Sequence, residues 1–93
     1  MVLAAKNVLL VANTAQTVTG LAGYPAVRVA VTDTSWVRND GGAATVRGDN
    51  CVMVTVSDDV EVNYNDALGV SVISAGTPSV CVSGCRCSED AIL

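Results

Sequence analysis

Valine falls at every second position in several short stretches of this chain. Val27, Val29 and Val31 alternate with Arg28, Ala30 and Thr32. Val52, Val54 and Val56 alternate with Cys51, Met53 and Thr55, and Val60, Val62 and Tyr64 with Glu61 and Asn63. A period of two sends successive side chains to opposite faces of an extended backbone, so each run predicts a strand with one buried face. Further β-prone segments cover residues 6–12, 15–19, 35–38, 68–74 and 79–83, and residues 43–47 are expected as an edge strand. Turn residues separate them all: Asn13-Thr14, then Gly20, Gly23 and Pro25, then Asp33-Thr34. Asn39-Asp40-Gly41-Gly42, Gly48-Asp49-Asn50, Asp58-Asp59, Asn65-Asp66 and Ala75-Gly76-Thr77-Pro78 complete the series. Asn, Asp and Gly tolerate the positive φ that tight reversals need. No window has a helical period, although Ser88 could cap a single turn over 88–93.

This pattern predicts one all-β domain over residues 1–93: a small antiparallel β-sandwich or jelly-roll-like barrel of about eight short strands. Alternation stops at Gly84, which reads as a break after the last strand. Residues 85–93 are then expected to form a C-terminal arm. Its apolar end, Ile92 and Leu93, is expected to dock on a neighbouring chain, with folding back onto its own sandwich as the alternative.

Composition bears on stability. The chain has no Phe, one Trp and two Tyr, so its core must be built from Val with Ala, Leu and Ile. Valine suits a pleated surface but brings little area, and a domain this size buries only about 60–65% of its unfolded surface. Small cores are commonly reinforced by oligomerisation, disulfides or metals, and self-association, as a homotrimer, is expected here. The net charge is −4, and Lys6, Arg28, Arg38, Arg47 and Arg86 are scattered. Nucleic acid binding needs clustered cations to displace counterions, so neither nucleic acid nor an anionic membrane surface is an expected partner. No stretch is long enough to span a bilayer. The start of the chain, with Lys6 after an apolar run, is unlike a signal peptide, so synthesis in a reducing cytoplasm is expected.

Candidate chemistry is sparse. With no His, neither a Ser-His-Asp nor a Cys-His site can be built. The glycines form no phosphate-binding loop, and Asp58, Asp59 and Glu61 read as a turn. No enzymatic activity and no cofactor are expected. Cys51, Cys81, Cys85 and Cys87 are the thiols, the last three in a C-x-x-x-C-x-C run. Zinc sites prefer two C-x₂₋₄-C pairs, so no metal is expected. A reducing compartment favours free thiols, with a disulfide formed by late oxidation as the alternative. Trp36 and Arg38 lie two apart on one strand and so share a face. They are the expected partner-binding residues, because Trp beside Arg is a common interface anchor; the alternative places Trp36 in the core.

Three phrases carry a resemblance. They are Ala12-Asn13-Thr14-Ala15-Gln16-Thr17-Val18-Thr19; Ala26-Val27-Arg28-Val29-Ala30-Val31-Thr32-Asp33 followed by Trp36-Val37-Arg38; and Ile73-Ser74-Ala75-Gly76-Thr77-Pro78-Ser79-Val80-Cys81-Val82-Ser83-Gly84. Together they resemble small β-sandwich accessory proteins from the virions of tailed bacteriophages, the capsid decoration or cement proteins. The late cysteines and acidic tail depart from that pattern. The resemblance implies a trimeric structural protein, made in the host cytoplasm, that binds a major capsid protein and stabilises the head lattice. It implies no catalytic residues. The competing expectation is a carbohydrate- or receptor-binding module of a fibre or adhesin.

Overall fold

The computed structural model describes residues 5–85. Eight strands follow one another: β1 (Ala5–Leu9), β2 (Gln16–Val18), β3 (Ala26–Val31), β4 (Ser35–Arg38), β5 (Val52–Val54), β6 (Val60–Asn63), β7 (Val70–Ile73) and β8 (Ser79–Cys85). They make two four-stranded sheets, ordered β1-β8-β3-β6 and β2-β7-β4-β5. Every pairing is antiparallel. The order follows from winding one long hairpin. β1 pairs with β8, β2 with β7, β3 with β6 and β4 with β5, and the β3–β8 and β4–β7 ladders close each sheet. This is a jelly roll, the double-sheet solution that stacks two apolar faces.

Alternation sets the core. β3 buries Val27, Val29 and Val31 and turns Arg28 outward, while β8 buries Val80 and Val82. From the other sheet come Val18, Val37, Val54, Val70 and Val72. Leu10, Leu21 and Tyr64 complete the buried cluster, and Tyr24 packs against it. β7 is buried on both faces. Its outward Ser71 lies under the 39–51 loop, where its Oγ accepts a hydrogen bond from Ala44 N at 2.8 Å.

Loops gather at two ends. The 10–15, 32–34, 55–59 and 74–78 connections share one end. Asn13 N donates to Ser74 O at 2.8 Å, and Ser74 Oγ donates to Thr34 O at 2.7 Å. At the other end Tyr64 donates its hydroxyl to Asp66 Oδ1, which also accepts from Gly20 N at 2.8 Å and Leu21 N at 3.2 Å. The hydrogen bond from Tyr64, then the backbone N–H of Gly20, holds the Asp66 carboxyl below the usual carboxylate range. Burial, reinforced by the Asp66 carboxylate, pushes the Tyr64 phenol up. Beside this latch Gly69 has φ +72°, and a Cβ there would stand 2.8–2.9 Å from Thr19, Thr17 and the Val18 carbonyl. Only glycine fits so close an approach in that conformation.

Four sequence expectations change. The strand expected over 51–57 shortens to Val52–Val54, and of its alternating valines only Val54 is buried, Val56 standing exposed in the turn beyond. Residues 43–47 form no strand; they belong to the loop crossing the second sheet. The first strand stops at Leu9, because Leu10 turns into the core and its N–H bonds to Pro78 O. Gly84 does not break the last strand. β8 continues through it to Cys85, with Ala26 opposite Cys85 and Val27 opposite Gly84. Residue 85 therefore belongs to the sandwich, and the expected arm from 86 onward lies outside the described residues.

Candidate functional site

The outer face of the second sheet carries the predicted pair. In β4, Ser35 and Val37 face inward, at 0% and 1% exposure. Trp36 and Arg38 therefore face outward, and both are half-buried. The inversion is stable because the buried Ser35 is satisfied: its Oγ donates to Asp33 O at 3.0 Å. Register then places Trp36 between Met53 of β5 and Ile73 of β7. The result is an apolar row across three strands, Met53–Trp36–Ile73. Ile73 is buried, whereas Met53 is 56% exposed at the sheet edge. Trp36 is no core filler: the buried cluster does not include it.

Arg38 occupies the next outward row, opposite Ser71. Its Nε donates to Asp40 Oδ1 at 2.6 Å, and Asp40 Oδ1 also accepts from Gly42 N at 3.0 Å. The hydrogen bond from Arg38, followed by that from Gly42, holds the Asp40 carboxyl below its usual range. Gly42 is pressed against the guanidinium: a Cβ there would stand 2.6 Å from Arg38 Cζ. The 39–51 loop thus fixes the cation beside Trp36. Arg38 and Asp40 thereby form a salt bridge.

Ile92 and Leu93, the other expected contact residues, lie outside the described residues. Met53 and Ile73 were missed as members of the face. The alternation over 51–57 already set Met53 opposite the valines, but only cross-strand register shows that it adjoins Trp36.

The cysteines with described side chains, Cys51 and Cys81, are free and half-buried. Cys51 directly precedes β5 and lies close to Arg38 of the second sheet. Cys81 lies on the outer face of the first, in a shallow hollow of about 240 Å³ with Asn7, Ala30, Thr32 and Ser79. Outer faces of stacked sheets are separated by more than the roughly 10 Å between the sheets themselves. A disulfide needs Cα atoms about 4.4–6.8 Å apart, so these two cannot join within one sandwich. The described residues hold no cluster of three or more potential metal ligands.

Comparison with family models, with curated proteins and with solved structures finds no match to this chain.

Proposed function

We propose that this chain is a structural protein of a bacteriophage virion, a capsid decoration protein that works by contact. The observation carrying this reading is the outward row Met53–Trp36–Ile73 beside the loop-fixed Arg38. A large indole turned away from a valine core offers apolar area to a partner and adds nothing to the interior. Arg38 supplies directional donors next to it, the pairing that concentrates binding energy at protein interfaces. The partners are further copies, as a trimer, and a major capsid protein made in the same bacterial cytoplasm. Burying such faces across subunit junctions raises the free energy needed to separate them.

The deciding experiment is co-sedimentation of the purified chain with capsids lacking it. Binding that saturates at a fixed ratio to the major capsid protein, and that fails for Trp36→Ala, supports the reading. The outward-facing, half-buried indole also favours a second reading, a glycan-binding fibre module in which Trp36 is a stacking platform. Saturable quenching of the Trp36 fluorescence by a glycan, without capsid binding, would favour that alternative.

A further inference from the structure

We infer that the free edge of β5 pairs antiparallel with the β5 of a second copy of this chain, about a two-fold axis at Met53. A sandwich of two open sheets has four edges, here β1, β6, β2 and β5. An open edge invites pairing, and proteins blunt it with charged or polar residues. β1 carries Lys6 on its inward side, opposite the buried Val82. β6 carries Glu61 and Asn63, and β2 carries Gln16 and Thr17. β5 alone is apolar throughout: Val52, Met53 and Val54. Val52 is 47% exposed as well as Met53. Among the described residues, no backbone hydrogen bond of these three is made outside the ladder with β4.

The occupant follows from self-complementarity. Val52-Met53-Val54 is a palindrome, so an antiparallel copy centred on Met53 sets Val52 against Val54 twice and Met53 against Met53. A two-fold contact demands such a surface. On the outer face the stripe becomes continuous across both molecules, running Ile73–Trp36–Met53 and then the same residues in reverse. Charge agrees. Each chain carries −4, which opposes association in general, yet this edge is uncharged. Arg47 and Asp49 both precede β5 and offset one another, so the antiparallel copy meets the Asp58 and Asp59 that follow its mate with a leading end of no net charge. The contact goes beyond the trimer proposed above, since it links a chain of one trimer to a chain of the next.

The test uses purified protein alone, so its outcome does not depend on capsid binding. Met53→Cys and Val56→Cys are each placed in a chain whose four cysteines are replaced by Ser. Across the proposed axis two copies of residue 53 are adjacent. Two copies of residue 56 stand about 20 Å apart, six residues at about 3.3 Å each. The expected result is oxidative dimer formation about ten-fold or more faster for Met53→Cys than for Val56→Cys, reflecting effective concentration. Equal rates would overturn the inference. If the cysteine-free chain does not fold, sedimentation of the intact chain decides. Met53→Lys should lower the mass reached at high concentration, whether or not a trimer remains, while leaving the melting temperature of dilute protein unchanged; a mass that Met53→Lys leaves unchanged overturns it equally.

Discussion

Gly84 and Tyr24 form a pair whose energetics follow from one distance. Gly84 sits in β8 opposite Val27, on the inward side of the strand. A Cβ added there would lie 2.6 Å from Tyr24 Cγ and Cδ1 and 2.7 Å from Cδ2. Ordinary contact begins near 3.4 Å, so the ring would have to move by most of an ångström. It is the face of a planar ring and not the tip of a flexible chain. Overpacking of this kind costs about 1–3 kcal/mol. Gly84 has no positive φ, so alanine fits the backbone and gains about 0.4–1 kcal/mol from the narrower unfolded ensemble. The balance for Gly84→Ala is a loss of about 1.5 kcal/mol. In a domain of 60–100 residues that lowers Tm by about 6–12 °C. Tyr24→Ala combined with Gly84→Ala should show a coupling of about 1 kcal/mol or more, because the clash disappears with the ring. The assay is thermal unfolding by far-ultraviolet circular dichroism, with Ser83→Ala as the outward-facing control. A Gly84→Ala protein as stable as the parent, or more so, refutes the argument that the Tyr24 ring occupies the place of a side chain.

Core and surface valines should separate sharply. Val72→Ala, at 0% exposure, should cost about 2–3 kcal/mol through lost burial and a residual cavity, whereas Val11→Ala, at 57%, should change stability by less than about 0.5 kcal/mol in denaturant titrations. The depressed Asp66 carboxyl contributes stability that is present above its unfolded pKa and lost as pH falls through the folded one. Asp66→Asn should therefore lower Tm at pH 7, and the gap from the parent should close below about pH 4; a gap constant down to pH 2 contradicts the latch. Trp36→Ala should weaken particle binding far more than it lowers Tm, since Trp36 lies outside the buried cluster; collapse of folding with binding intact in the surviving fraction would place the indole in the core. Removing residues 88–93 should leave the sandwich folded and impair attachment, and attachment equal to that of the full chain would dispose of the docking arm.

Much of the fold was legible because alternation is a local signal. Val27, Val29 and Val31, and Val80 and Val82, declare their buried face within one strand. The Asn39-Asp40-Gly41-Gly42 turn likewise announces itself: Gly41 takes φ +91° and Asp40 bonds back to Gly42 N. The losses occurred where the deciding partner is remote. Residues 43–47 are β-prone, yet a strand needs an edge to pair with, and Ala44 N finds Ser71 Oγ instead. Gly84 looked like a break because glycine weakens strands, and the ring that fills its space comes from sixty positions earlier. For the contact face, sequence placed Trp36 and Arg38 together but could not say whether that side was in or out. The answer depends on Ser35, a polar residue buried at 0% exposure because the carbonyl of Asp33 accepts its hydroxyl proton.

If this chain acts by occupying a regular lattice of protein partners, that lattice fixes its copy number. Quantitative mass spectrometry of purified particles that contain it measures this directly. The expected result is a fixed ratio of this chain to the major capsid protein, the same from one preparation to the next, and loss of the chain from particles when Trp36→Ala replaces the parent. A handful of copies per particle, independent of the amount of capsid protein, would contradict it and assign the chain to a fibre or tail component.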